Sequence, residues 1–240
     1  MSNKLALVFG GSRGIGAACV DALAADGFDV AYTYVSQAPA GERTVGNARI
    51  KGYAADICKP DDVAAAFVAS AKDFGKAPDC VLANAGINVP PGPMAQFNPE
   101  HFRQLVEVNI VGAFNILAEA ARKVADGGTI IALTTSLVRH AAPGLGPYSA
   151  TKAAVECMVR SMAKELAARR VRVNAVAPGP TDTDLFRAGK TDEAKQRSAA
   201  MSPLNRVGQP AEIAAVVCFL ASDKSSWMDG QIVQPNGGLI

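Results

Sequence analysis

Leu5-Ala6-Leu7-Val8-Phe9, then Gly10-Gly11-Ser12-Arg13-Gly14-Ile15-Gly16, then Ala17-Ala18-Cys19-Val20-Asp21-Ala22-Leu23 is the stretch that decides the fold. Five apolar residues stopped by glycine have the length of a buried strand, and the run after Gly16 reads as helix. The order is strand, glycine-rich turn, helix. Glycines let the chain turn tightly with positive φ and let a phosphate approach the main chain. A helix starting behind them points free N–H groups and its positive dipole end at that phosphate. The spacing of Gly10, Gly14 and Gly16 is G-x-x-x-G-x-G. It differs from the G-x-G-x-x-G dinucleotide fingerprint, so the strand–turn–helix context carries the reading.

Outward from this unit, strand-like and helix-like runs alternate. Strands are expected near 5–9, 30–34, 49–54, 80–83, 129–134, 171–176 and 231–234, with helices near 15–26, 61–74, 100–124, 149–168 and 210–221 and a weaker one near 40–47. Such alternation implies a parallel sheet with helices on both faces. With right-handed crossovers, the expected fold is one α/β domain over 1–240, a doubly wound, Rossmann-type parallel sheet of about seven strands. Ligands of such sheets bind at the carboxyl ends of the strands. Gly10, Asp56, Asn84, Ser136 and Pro178 each fall just after an expected strand.

Composition agrees. The chain has 240 residues, enough for one large α/β domain, and is 49% hydrophobic and 19% charged, which is globular. A net charge of +2 with scattered Lys and Arg gives no basic stripe, which argues against nucleic-acid binding. The apolar runs are too short to span a bilayer, and the N-terminal run stops at Gly10, unlike a secretory signal. Five widely spaced cysteines, at 19, 58, 80, 157 and 218, read mostly as buried small hydrophobes and suggest a reducing, cytoplasmic setting. His101 and His140 are too few and too isolated for a metal site, so no metal is expected.

In the second half, Tyr148 and Lys152 stand four positions apart in Pro147-Tyr148-Ser149-Ala150-Thr151-Lys152, at the start of an expected helix. That spacing puts both on one face, one turn apart. An ammonium beside a phenol favours phenolate and would lower the tyrosine pKa from about 10 toward neutrality. A tyrosine so tuned exchanges a proton with a substrate oxygen.

Taken together these residues resemble the short-chain dehydrogenase/reductase family over nearly the whole chain. Gly10, Gly14 and Gly16 match its cofactor glycines, with Ser12, Arg13 and Ile15 in the same turn. Asn84-Ala85-Gly86 matches the segment after its fourth strand, Asn109 its catalytic asparagine, and Tyr148 with Lys152 its Y-x-x-x-K. Pro178-Gly179, Thr181 and Thr183 match its turn over the nicotinamide; the segments 206–212 and 236–238 match its C-terminal part. Two residues depart from the pattern: Phe9 where threonine is usual, and Ala83 where asparagine is usual. Both read as compensated local packing beneath the cofactor.

The resemblance implies hydride transfer between nicotinamide and a carbonyl or alcohol. Tyr148 would be the general acid, Lys152 would tune it and bond the nicotinamide ribose, and Asn109 would hold a water linking Lys152 to solvent. Asp56-Ile57 would bracket the adenine, although Asp56 also suits a capping role before Pro60. The carbonyl-polarising hydroxyl is open within Thr134-Thr135-Ser136. The family's commonest separation, thirteen positions before Tyr148, lands on Thr135; Ser136 is twelve back. The intervening loop holds Pro143, Gly144 and Gly146 and tolerates a one-residue change, and serine is less crowded than a β-branched threonine, so Ser136 is favoured.

The end of the second strand, Tyr32-Thr33-Tyr34-Val35-Ser36-Gln37, carries no acid for the adenosine ribose, and Arg13 can pair with a 2′-phosphate, with Arg43 a weaker second. NADP is therefore the expected cofactor. The segment 181–209 reads as a substrate lid and 88–94, with three prolines, as a stiff opposite rim. Few charges line either, which favours a small neutral or acyl carbonyl. An apolar or small surface at Ala153, Ala154, Cys157, Met158, Ser161 and Met162, wider than one buried stripe needs, suggests a homotetramer. An NAD-dependent alcohol dehydrogenase and a non-catalytic nucleotide-binding sensor or scaffold stay open as alternatives.

Overall fold

The computed structural model describes residues 3–36 and 41–240. The strands are β1 (Leu5–Phe9), β2 (Asp29–Tyr34), β3 (Arg43–Val45), β4 (Ala48–Ala54), β5 (Cys80–Ala83), β6 (Thr129–Leu133), β7 (Arg172–Val176) and β8 (Ile232–Val233). They form one sheet in the order β3-β4-β2-β1-β5-β6-β7-β8. Every pairing is parallel except that of β3 with β4. The strand order reverses at β1, between β2 and β5, and a doubly wound sheet opens its ligand crevice there.

The helices are α1 (Gly14–Ala25), α2 (Pro60–Phe74), α3 (Pro99–Val106), α4 (Ala113–Lys123), α5 (Leu137–His140), α6 (Gly146–Glu165), α7 (Asp184–Arg187), α8 (Asp192–Ala200) and α9 (Pro210–Ala221). Two apolar layers enclose the sheet. On one face Leu5, Leu7 and Phe9 pack with Phe67 of α2, Ile116 and Leu117 of α4, and Val155 and Val159 of α6. On the other, Ala6 and Val8 pack with Val20 and Leu23 of α1 and Ile213, Val217 and Leu220 of α9. The alternation along β1 explains the split, since successive side chains leave opposite faces. Burial on both faces explains why β1 is apolar without a break.

Helix ends follow local chemistry. Pro60 opens α2, Asp61 and Asp62 lie in its first turn, and Gly75 closes it in the left-handed region (φ 72°). Asn98 caps α3 by accepting from the Glu100 amide at 2.8 Å.

Two expectations are corrected. The weak helix near 40–47 is instead a hairpin: β3 turns at Gly46-Asn47 and pairs antiparallel with β4, adding an eighth strand. Glu42-Arg43-Thr44-Val45 lacks an apolar face with helical period, and Thr44 and Val45 are β-branched. Ala40, and Gln37 at the end of the second-strand segment, lie outside the described residues. The single helix near 100–124 is three pieces, because a π-helical turn, Glu107–Gly112, separates α3 from α4.

Candidate active site

Phe9 and Ala83 are register partners on neighbouring strands. Phe9 is fully buried and meets Phe67 with ring centroids 5.6 Å apart. The small Ala83 stands beside the large Phe9 in the same apolar layer. The turn above them is held mainly through its main chain. The Gly10 amide donates to Thr33 Oγ1 at 3.1 Å, and Asn84 Nδ2 donates to the carbonyls of Phe9 (3.3 Å) and Gly10 (2.9 Å). A Cβ on Gly16 would lie 2.0 Å from the Gly10 carbonyl oxygen and 2.5 Å from Asn84 Nδ2, so only glycine fits. A Cβ on Gly10 would lie 2.9 Å from Ala85 Cα, which brings the β1 turn and the 84–86 segment together. Ser12 and Arg13 are exposed; Arg13 is the extended N-cap residue of α1, and Ile15 is half-buried.

Thr33 is a residue that sequence reasoning missed. Its signal was a buried hydroxyl at the end of an apolar strand, where it must find a partner. Asn115 is another: its Nδ2 donates to the Ile57 carbonyl at 2.9 Å. Asp56 Oδ1 accepts from the Cys58 amide at 3.0 Å, and the Asp56 amide donates to Asp62 Oδ2 at 3.1 Å. Asp56 thus shapes the turn into α2, while Ile57 is buried against Gly112.

Asn109 is fully buried in the π turn. Its Oδ1 accepts from the Ile87 amide and its Nδ2 donates to the Ile87 carbonyl, each at 2.9 Å; Nδ2 also donates to Thr151 Oγ1 at 3.3 Å. One side chain therefore joins the β5 exit, the π turn and α6. The π turn puts an extra residue into the helix and is a common device at functional sites.

A Cβ on Gly86 would stand 3.0 Å from Asn109 Oδ1 and 3.2 Å from Lys152 Nζ. The missing side chain leaves both groups facing one small space. Lys152 is buried, and its Nζ donates to the Leu133 carbonyl at 3.1 Å. Desolvation pulls its pKa down to about 8. Tyr148, half-buried one turn earlier, is pushed up to about 12 by desolvation. The expected lowering of the tyrosine is therefore corrected for the protein by itself: both groups move toward their neutral forms. Loss of water is the cause of both shifts.

The three hydroxyls after β6 have different partners. Thr134 Oγ1 donates to Glu156 Oε1 at 3.3 Å. Thr135 Oγ1 accepts from the Leu137 amide at 3.3 Å. Ser136 Oγ is fully buried and donates to the Ala177 carbonyl at 2.7 Å. The Ser136 amide donates to the Pro178 carbonyl at 2.9 Å, so the β6 exit is stitched to the β7 exit.

The turn after β7 lies across from the glycine turn, since a Cβ on Gly14 would be 3.4 Å from Thr183 Cγ2. Thr181 Oγ1 donates to the Gly179 carbonyl at 3.0 Å, and Thr183 caps α7 by accepting from the Phe186 amide at 3.1 Å. The segment 181–209 carries α7 and α8, and its ends meet where the Asp182 amide donates to Gly208 and the Gly208 amide to Pro180, each at 2.8 Å. Across from it, the Gly92 amide donates to the Gly144 carbonyl at 3.1 Å, which fixes the proline-rich rim to the loop before Tyr148.

Arg43 is not brought to this crevice. It pairs with Ile50, level with Val30 in β2, and its guanidinium binds Asp21. Every other residue named from the sequence for the site lies along the strand exits from β4 to β7, at the starts of α1 and α6 or, for Asn109, in the π turn.

A family model described as enoyl-(acyl carrier protein) reductase matches residues 10–240. An NADPH-dependent aldehyde reductase-like protein, chloroplastic, of Arabidopsis thaliana is 39% identical over 258 residues, covering 100% of this chain and 95% of that protein. Versicolorin reductase 1 of Aspergillus parasiticus is 38% identical over 256 residues, covering 99% and 97%. A solved short-chain dehydrogenase of Burkholderia cenocepacia, in complex with NADP, superposes with a TM-score of 0.87 at 30% identity, covering 98% of this chain and 97% of that one. No helix among the described residues is long and apolar enough to cross a membrane. With the glycine turn, the buried asparagine and the Tyr148–Lys152 pair in place, the chain belongs to the short-chain dehydrogenase/reductase family of oxidoreductases.

Proposed function

We propose that this protein is an NADP(H)-dependent carbonyl reductase acting on small neutral or acyl carbonyl compounds. The observation that carries the reading is that Asn109 Oδ1 and buried Lys152 Nζ face the same space at Gly86, with Lys152 bonded to the β6 exit and Tyr148 one helical turn before it. The tight glycine turn at Gly10 and Gly16 and the side-chain-free space at Gly86 support a dinucleotide site, which Ser12 to Gly16, Asp56-Ile57, Asn84 to Gly86, Tyr148, Lys152, Pro178-Gly179, Thr181 and Thr183 would form. When bound, its nicotinamide supplies the hydride.

In the reducing direction Tyr148 gives its proton to the carbonyl oxygen. In the protein by itself desolvation pushes the hydroxyl up to about 12, so Tyr148 holds the proton it would give. Ser136 polarises the carbonyl by rotating its hydroxyl away from Ala177; Thr135 is the second candidate. Lys152 orients the ribose, and the space between its Nζ and Asn109 Oδ1 takes the water that resupplies Tyr148. The segment 181–209, hinged where its ends bond, closes over substrate with Leu185 and half-buried Phe186.

NADP is supported by the lack of an acid at 32–36 and by exposed Arg13, as well as by the cofactors named for the relatives. We also read a homotetramer. Ala153, Ala154, Cys157, Met158 and Ser161 of α6 are at least partly exposed although Met162 is core, and Phe102, Phe114, Trp227 and Ile240 are exposed apolar groups. Five free cysteines suit a reducing, cytoplasmic compartment.

The test is NADPH fluorescence titration followed by NADPH consumption on a panel of neutral aldehydes, ketones and a 2-enoyl thioester, with NADH in parallel. Turnover of aldehydes or ketones with NADPH preferred is expected. Tight binding without turnover would make the chain a sensor or scaffold, and equal efficiency with NADH would remove the NADP claim. A monomer mass by light scattering would remove the tetramer.

A further inference from the structure

Glu156 is a carboxylate only 3% exposed, on the face of α6 that otherwise buries Val155, Val159 and Met162. It lies one turn beyond Lys152 and two beyond Tyr148, in line with both. Burying a carboxylate among apolar side chains is costly unless it is paired and hydrogen-bonded. Its partners all lead to the β6 exit or the surface. Oε1 accepts from Thr134 Oγ1 at 3.3 Å; Oε2 lies 3.5 Å from Arg139 Nη1 and 3.9 Å from Arg160 Nη1. Thr134 immediately precedes Thr135-Ser136, and Arg139 sits on α5 immediately after them. The carboxylate thus grips the hydroxyl-bearing segment from both sides and ties it to the helix that carries the acid.

We propose that Glu156 is a positioning residue for the carbonyl-polarising hydroxyl, acting through Thr134 and Arg139. The proposal rests on the carbonyl-reductase reading above. Thr135 and Ser136 leave the strand where regular pairing ends, and their own side-chain bonds go to main chain. The Ser136 amide and hydroxyl tie that segment to the β7 exit, which leaves its distance to Tyr148 on α6 to be fixed from the helix side. Glu156 sets that distance from α6 itself. A misplacement of about 1 Å at a reacting centre can cost about a hundredfold in rate.

The test is a double-mutant cycle on the whole protein with para-nitrobenzaldehyde, or the fastest panel carbonyl, at saturating NADPH. Glu156→Gln keeps the shape and an acceptor for Thr134 but loses the charge that holds Arg139. The expected result is a fall in kcat of about tenfold, with NADPH affinity unchanged and faster amide exchange confined to 135–139 in the protein without nucleotide. In a Ser136→Ala background the same change should cost less than about twofold, because the group it positions is gone. Wild-type kcat in Glu156→Gln, or a full additive loss on Ser136→Ala, overturns the proposal. If Glu156→Gln does not fold, Thr134→Val and Arg139→Met cut the same links singly and face the same cycle. If Ser136→Ala alone keeps full activity, the hydroxyl assignment has failed, and the cycle on Thr135→Val then decides Glu156.

Discussion

At the β1–α1 turn, a Cβ on Gly16 would stand 2.0 Å from the Gly10 carbonyl; at the start of α6, Lys152 buries an ammonium against the single carbonyl of Leu133. The first region works by what is missing: side chains are removed so that main chain can approach main chain. The second works by what is added, namely ionisable heads placed in a dry crevice against their solvation preference. Damage should therefore differ in kind. In the turn, adding an atom should break binding. In the crevice, removing the Tyr148 hydroxyl should break chemistry and leave binding.

Tyr148→Phe gives the largest effect. It keeps the ring and removes only the hydroxyl. Turnover should fall by about 10²–10⁴-fold, the usual contribution of a general acid, while NADPH affinity stays within about twofold. Single-turnover kinetics with a fluorescence titration would show it. Residual activity above about a tenth of wild type would place the acid elsewhere.

Gly16→Ala tests the opposite side. One added carbon must displace α1 or the Gly10 carbonyl, at a cost of about 1–3 kcal/mol in overpacking. NADPH affinity should drop by about a hundredfold, because the displaced atoms line the phosphate site. A variant binding NADPH like wild type would mean that the turn is ordinary strand–helix packing.

Lys152 sharpens the contrast through stability. Its pKa, down to about 8 from 10.5, means that folding costs the ammonium on the order of 3 kcal/mol at neutral pH. The neutral amine is the form the fold prefers, so this penalty is full below pH 8 and fades as pH rises through 8 to 10.5. Lys152→Met should lose activity yet raise Tm by about 2 °C or more at pH 7, with a smaller gain at pH 10. In the wild type, kcat/KM for NADPH should decline above about pH 8 as the amine loses its proton. A Tm below wild type would show that the Leu133 hydrogen bond outweighs the buried charge.

This contrast also explains what the sequence could disclose. The glycine turn, the strand exits and the Tyr148–Lys152 spacing were legible because each is local: a period, a spacing of four, a missing side chain. The π turn around Asn109 was not. It goes with a pair of bonds from Asn109 to Ile87, twenty-two positions away, and no local pattern carries that. The hairpin at 43–48 was missed because three strand residues are too few for a period to show. Glu156 was passed over because a lone acid in a helix reads as solvated until its partners Thr134 and Arg139 are seen in space. The tyrosine shift runs opposite to the expectation in the protein by itself, since sequence shows which groups are neighbours but not how much water each loses.

The smallest effect belongs to the one place where the turn relies on a side chain. Arg13 is exposed at the N-cap of α1, in extended conformation (φ −155°, ψ 167°), and makes no ion pair with any described residue. Arg43, the other basic candidate, is paired with Asp21, two turns further along α1 than Arg13. Recognition of a 2′-phosphate should thus fall to Arg13. A hydrogen bond to a charged group contributes about 1.5–3 kcal/mol, and exposure keeps this one near the lower figure. Arg13→Ala should weaken NADPH by about tenfold, leave NADH within about twofold because it lacks the phosphate, and flatten the salt dependence of NADPH binding. Arg43→Ala should change neither. An unchanged NADPH-to-NADH ratio in Arg13→Ala would move phosphate recognition off the arginine and onto the neutral donors at the end of β2. In that case the nucleotide side would work through main chain and small polar groups throughout.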